Sequence, residues 1–173
     1  MLHTHKKYIM TIYVKNKHTL EIGEFKFKCC IGKKGSTKAK KEGDKKTPRG
    51  NFKIENLYFR KDRKKKPSTS LKCIEIKKGM GWCNDIRFSK KYNKIFKIEK
   101  KIKHEKLKRK DYKYDLMIPI KYNFKKPITG LGSCIFIHLT KDYKPTAGCI
   151  ALKEKDFLIM LKLIKKNSEI KIF

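Results

Sequence analysis

Arginine is scarce in this chain. Only Arg49, Arg60, Arg63, Arg87 and Arg109 stand among 48 basic residues, the rest being lysine, set against 16 Asp and Glu. Specific recognition of bases and phosphates draws on the rigid two-pronged donor geometry of arginine. The formal net charge of +32 therefore does not by itself make a nucleic-acid reader, although clustered lysines attract polyanions by releasing counterions. The lysines are spread along the whole chain beside abundant Ile, Asn and Phe, the pattern left by codons drifting toward A and T. No specific nucleic-acid partner is expected. Paired cysteine spacing is missing too. Cys29, Cys30, Cys73, Cys83, Cys134 and Cys149 contain no CxxC, so a structural zinc site has no support. In strand-like surroundings such as FKFKCCIG and GSCIFIH, buried reduced thiols are expected for four or five of the six. Long apolar runs are absent, which excludes a membrane-spanning helix. The opening MLHTHKKYIMTIYVKNK has basic residues before a short apolar run but no small-residue cleavage site, and reads as a first strand rather than a signal peptide.

What is present suffices for a core. Hydrophobic residues make up 39% and aromatics 11% despite 37% charged residues, and the length suits a single domain over residues 1–173. Residues 8–32 read as two strands, YIMTIYV and EFKFKCCI, joined through KNKHTLEIG. Residues 33–50 form a long polar loop by composition. NFKIENLYF, LKCIEIKKG and MGWCNDI alternate as strands do. IFKIEKKIKHEKLKRKD, residues 95–111, stays open between a helix and an irregular lysine-rich segment. YDLMIPIKYN and SCIFIHL suit buried strands. Near the C-terminus the period changes: Phe157, Met160, Leu161 and Ile164 fall at i, i+3, i+4 and i+7, so KDFLIMLKLIKK predicts a helix, with Asp156 a candidate cap. EIKIF closes as a strand. The fold class is mainly β, or α+β with an antiparallel or mixed sheet and one late helix.

HLTKDYKPTAGCIAL, residues 138–152, concentrates the reactive groups. A cysteine becomes a nucleophile where a base, a helix N-terminus or backbone N–H groups favour its thiolate. Cys149 follows Gly148, which permits a sharp turn, and comes shortly before the predicted helix. His138 ends the strand GSCIFIH, and the intervening loop can fold the imidazole back toward the sulfur. Spacing alone leaves a structural histidine and a tight buried Gly-Cys turn as open alternatives.

IHLTKDYKPTAGCIAL resembles the signature of the L,D-transpeptidase catalytic domain family of the YkuD type, in which a histidine and a loop lead to Ser/Thr-x-Gly-Cys. KEGDKKTPRGNFKI resembles that family's early Gly-Asp and Thr-Pro-x-Gly motif. GWCNDI, HEKL, YDLMIPIKYN and GSCIFIHL follow in order, similar to a bacterial branch with a Pro-Thr-Ala-Gly-Cys nucleophile motif. The resemblance implies a β-sandwich of L,D-transpeptidase type with a helix after the catalytic cysteine. It implies Cys149 as nucleophile, His138 as base, the Leu139 carbonyl orienting the imidazole, Thr146 holding the loop and Gly148 shaping an oxyanion hole. Two positions depart from the common pattern: Leu139 stands where glycine or serine often follows the histidine, and Ala151 stands where many members place an arginine. Trp82, Asp85, His104, Tyr122, Asn123 and Arg49, with Tyr114, are residue types that could line a substrate groove.

The activity so implied is L,D-transpeptidation of peptidoglycan stem peptides through a thioester, with no metal or organic cofactor. Trimming of the terminal D-alanine by an L,D-carboxypeptidase and polyanion binding by a catalytically dead scaffold are the alternatives. A monomer is expected, and the resemblance implies a place in the cell envelope or periplasm, where free thiols face oxidation.

Overall fold

The structure is a computed structural model and describes residues 10–173. Alternating residues open the chain as β1 (Thr11–Val14), β2 (Thr19–Ile22) and β3 (Phe25–Lys28). β1 and β2 bury every second residue, Ile12, Val14, Leu20 and Ile22, as half-buried strands must. The expected two strands are thus three, because TLEI within the predicted connection alternates as well and pairs with both neighbours. Tyr8 and Ile9 of the expected first strand lie outside the described residues, as does the basic stretch before them.

The polar stretch 33–50 is mostly loop, but β4 (Ser36–Thr37) and β5 (Thr47–Pro48) pair in parallel within it. Then come β6 (Gly50–Lys53), β7 (Leu57–Phe59), β8 (Cys73–Glu75) and β9 (Met80–Cys83). The open segment 95–111 holds no helix. Its two fully buried apolar residues, Ile102 and Leu107, are five apart and share no helical face. It supplies β10 (Ile95–Lys97) and β11 (His104–Lys106), which flank β9 antiparallel. β12 (Leu116–Pro119), β13 (Phe136–Leu139), β14 (Ile150–Leu152), α1 (Glu154–Leu163) and β15 (Glu169–Ile172) complete the chain.

These strands form two five-stranded mixed sheets, ordered β3-β2-β1-β15-β6 and β14-β13-β12-β7-β8, and a three-stranded sheet β10-β9-β11. The second five-stranded sheet has a core on each face. Leu57, Phe59, Leu116, Ile118, Ile137, Leu139, Ile150 and Leu152 point to one side, where they meet the first sheet and Phe157, Met160 and Leu161 of α1. The intervening residues Tyr58, Met117, Phe136 and Cys149 point to the other, against Ile76, Trp82 and Leu107. The period of two in each strand thus assigns α1 and the sulfur of Cys149 to opposite faces of one sheet.

The predicted helix is present, with its apolar stripe buried. Asp156 is not its cap: Lys153 occupies the N-cap position with no side-chain cap bond, and Asp156 sits in the first turn, where its charge meets the positive end of the helix. All six cysteines are free. Cys29, Cys30, Cys83 and Cys149 are buried and Cys73 and Cys134 half-buried, so four of the six are buried as the sequence predicts, with Cys149 among them.

Candidate active site

Parallel pairing of β13 with β14 sets His138 opposite Ala151 and Ile137 opposite Ile150. Cys149 continues that register opposite Phe136, whose N–H donates to its Sγ at 3.4 Å. His138 and Cys149 therefore stand on the same face, one strand over and two residues along, a diagonal of about 8 Å between backbones from standard strand spacings. Both line a cavity of about 390 Å³ together with Thr146, Tyr114, Arg109 and Glu105. Cys149 does not sit at a helix N-terminus, because β14 intervenes before α1. The base and the backbone donors are left to act on the thiol.

The turn before Cys149 is fixed from a distant part of the chain. Gly148 has φ +145°, and a side-chain carbon there would lie 2.9 Å from the Lys46 carbonyl oxygen. Thr146 Oγ1 donates to the Cys149 carbonyl at 2.6 Å and accepts the Gly148 N–H at 3.1 Å. Thr47, fully buried, donates its hydroxyl to the Gly148 carbonyl at 2.8 Å and accepts the Gly32 N–H at 2.9 Å. Gly32 is needed for that approach, since a side-chain carbon there would lie 2.6 Å from the Lys45 carbonyl oxygen. Further bonds tie Thr146 to Ile31 and Lys33, and Cys30 to Ala151.

His138 Nδ1 lies 2.9 Å from the Leu139 carbonyl oxygen. That bond protonates Nδ1 in the neutral ring and leaves Nε2 as the basic nitrogen. Tyr114 packs edge-on against the imidazole, with ring centres 5.4 Å apart. Burial is the main force on both reactive groups. It lowers the His138 pKa to about 4, against the opposing Leu139 hydrogen bond. It pushes the Cys149 thiol up to about 12, offset in part by the Phe136 N–H. The thiol hydrogen goes to the Cys134 carbonyl at 3.2 Å. The resting pair is thus a neutral thiol and a neutral imidazole, and charge separation has to coincide with the arrival of an electrophile that takes up the negative charge.

Arg109 is a positive group that sequence reading missed, and Lys113 and Lys144 line the same cavity. Arg109 pairs with Glu105 at 2.7 Å and Asp111 at 2.7 Å and lies over the Tyr114 ring at 5.0 Å. The Asp111 contact holds its guanidinium firmly protonated. The signal was in plain sight as RKDYKYD, but a lysine-rich context hides one meaningful cation.

The other sequence-predicted residues do not line this cavity. Trp82 is 3% exposed, donates its indole N–H to Asn93 Oδ1 at 2.9 Å and packs edge-on against Phe136. Asp85 accepts from Arg87 at 2.7 Å and from the Lys103 N–H at 2.9 Å; the guanidinium holds its carboxyl well below the usual range. His104 Nδ1 lies 2.6 Å from the Ile102 carbonyl oxygen. Tyr122 donates to the Leu131 carbonyl at 2.6 Å. Asn123 holds the next loop by bonding Ile128 and Gly132, each at 2.9 Å. Arg49 donates to Ser36 Oγ at 2.8 Å from an exposed position.

The sequence matches the L,D-transpeptidase catalytic domain (YkuD) over residues 2–172. The chain belongs to that family. Its mostly β fold, with one helix after the strand that follows Cys149, is the L,D-transpeptidase-like sandwich. A solved structure titled "Structure of Bdellovibrio bacteriovorus Bd1075" is similar in fold, with a TM-score of 0.50 and 18% identity over 95% of this chain. The match covers 47% of that chain, so this sequence spans about half its length. No curated protein matches. No helix among the described residues is long and apolar enough to cross a membrane.

Proposed function

We propose that this member of the family is a cysteine-dependent L,D-transpeptidase that acts on peptidoglycan stem peptides in the cell envelope through a thioester acyl-enzyme. The observation that carries the reading is the shared cavity of Cys149 and His138, with the imidazole oriented by the Leu139 carbonyl. Both groups open onto this cavity, and their own burial keeps them neutral until a peptide arrives. As the thiol attacks the carbonyl between the L-centre of a diamino acid and the terminal D-alanine, Nε2 takes its proton. The carbonyl oxygen gains negative charge as the thiol loses its proton, so the thiolate never has to persist alone at a pKa of about 12.

Gly148 contributes its conformation more than its amide, because that N–H is already engaged by Thr146 at 3.1 Å. The N–H of Cys149 itself is the oxyanion donor in this proposal, a term worth about 3 kcal/mol. His138 then returns its proton to the leaving amine of D-alanine. Arg109 supplies positive charge near the site from the segment after β11, where Ala151 cannot.

Transfer of the acyl group to an amine gives a cross-link; transfer to water gives the L,D-carboxypeptidase reaction. Incubation of purified protein with muropeptides, read by mass spectrometry, separates cross-linked dimers from trimmed tripeptides. A carbapenem is expected to leave an adduct on Cys149 that Cys149→Ala abolishes and His138→Ala slows. Failure to acylate Cys149, with salt-sensitive polyanion binding that survives Cys149→Ala, refutes the catalytic reading and favours a dead scaffold.

A further inference from the structure

The loop between β7 and β8 begins with seven consecutive charged residues, Arg60 to Lys66. Charged side chains stay in water unless they are paired, and two members of this run turn inward to partners. Arg60 is buried. Its Nη1 donates to the Arg109 carbonyl at 2.6 Å, and its Nε and Nη2 donate to the Asp62 carboxylate at 2.8 and 2.7 Å. Arg63 donates through Nη2 to the Lys110 carbonyl at 2.8 Å, and through Nη1 to the Asp111 carbonyl at 2.8 Å and the Asp115 carboxylate at 3.0 Å. The carbonyls of 109, 110 and 111 are thus each held by a guanidinium from another loop.

The stretch they hold forms one wall of the cavity around Cys149. Residues 107–115 lie between β11 and β12 and carry no strand, so no ladder fixes their backbone, yet Arg109, Tyr112, Lys113 and Tyr114 all line that cavity. One end of the wall is tied to the strand that carries His138, because the Lys113 carbonyl accepts the Leu139 N–H at 3.0 Å. At the other end the two guanidiniums take the place of a partner strand. The loop that supplies them is itself fixed: the Arg60 N–H donates to the Asp115 carbonyl at 2.9 Å, and the Arg60 carbonyl accepts the N–H groups of Arg63 and Lys64 at 2.9 and 2.8 Å. Lysine does not reproduce this geometry, since a single ammonium on a flexible stem lacks the rigid fork that reaches two neighbouring carbonyls at once. Two of the five arginines in a chain with 48 basic residues sit here.

We infer that Arg60 and Arg63 are positioning residues for the donor peptide: they hold the backbone of 109–111 so that Arg109, Tyr112 and Tyr114 meet the peptide in register with Cys149. The inference rests on the transpeptidase reading above. Neither Arg60 nor Arg63 lines the cavity, so each acts through the wall and not on the reacting atoms. His138 and Cys149 are placed by the pairing of β13 with β14, which does not involve the loop. Loosening the wall therefore weakens binding of the peptide more than the chemistry that follows.

The test is release of D-alanine from a stem tetrapeptide by Arg60→Lys and Arg63→Lys, with Lys66→Ala as a control from the same loop. KM should rise about tenfold in the two arginine variants while kcat stays within about threefold, and Lys66→Ala should match wild type. A role in folding alone would lower the amount of active enzyme, and kcat with it, at an unchanged KM. A role as bare charge would be met by lysine. Hydrogen exchange reads the wall without catalysis: the backbone amides of 107–115 should exchange about tenfold faster in Arg63→Lys than in wild type. An unchanged KM in both arginine variants, or unchanged exchange across 107–115, overturns the inference. Wild-type protein that releases no D-alanine is a different result: it removes the catalytic reading, and the substrate role of the wall with it, while exchange still reports whether the arginines hold 109–111.

Discussion

Thr47 is 101 positions from Gly148 in sequence, yet its hydroxyl is the joint between the early Thr-Pro-x-Gly motif and the turn that presents Cys149. Thr47→Val keeps the shape and removes both bonds. The Gly32 N–H, 2.9 Å from the hydroxyl, and the Gly148 carbonyl, 2.8 Å from it, are then left unpaired at a site with no exposure. Each unsatisfied buried backbone group costs about 1–3 kcal/mol, so the variant should lose roughly 2–6 kcal/mol of stability. Thr47→Ser retains the hydroxyl and loses a methyl group, a change of about 1 kcal/mol. Urea unfolding followed by tryptophan fluorescence suits the measurement, because the lone Trp82 is buried in the core that also contains Cys149. The variant should also acylate more slowly, since the carbonyl that Thr47 holds belongs to the residue before the nucleophile. A Thr47→Val protein within 1 kcal/mol of wild type, with an unchanged acylation rate, would refute the claim that this hydroxyl fixes the turn.

Gly148→Ala places a side chain at φ +145° and 2.9 Å from the Lys46 carbonyl oxygen, a strain of about 2–4 kcal/mol; the expected result is a lower urea midpoint and loss of Cys149 acylation, and normal values for both would exclude it. His138 gives a pH signature. Its pKa is about 4 folded and 6.5 unfolded, so between those values the unfolded chain binds the extra proton and stability rises with pH. Wild type should lose about 3 kcal/mol more than His138→Gln between pH 7 and pH 4, and matching pH slopes would show that the imidazole is not held neutral.

The sandwich was legible where one rule acted alone. Leu116, Ile118, Ile137 and Leu139 fill one face and Met117 and Phe136 the other, so the short apolar runs around them identify strands buried on both sides. The stripe of Phe157, Met160, Leu161 and Ile164 identified α1 by the same logic at a different period. Segment 95–111 resisted because charged residues dominate it and only one of its two buried residues, Leu107, joins the second core. β2 was hidden for the opposite reason: its four residues are too few to stand out from the turns around them, and pairing on both sides makes the strand.

Residue chemistry separated the site from its surroundings less well than chain geometry does. Trp82, Asp85, His104 and Asn123 are the residue types that sugar and peptide clefts use, yet each has polar atoms committed to the fold: the indole to Asn93, the carboxylate to Arg87, the imidazole Nδ1 to a carbonyl, the amide to a loop. Arg109 looks no different in sequence from the basic residues around it. What distinguishes it is the pair of carboxylates that hold it over the Tyr114 ring, and that cannot be read before the chain is folded. In a protein this rich in lysine, the presence of positive charge carries little information about binding. The information lies in which cations the fold fixes beside the nucleophile, and on that criterion Arg109 stands apart: Glu105, Asp111 and the Tyr114 ring hold it in the cavity that contains Cys149 and His138.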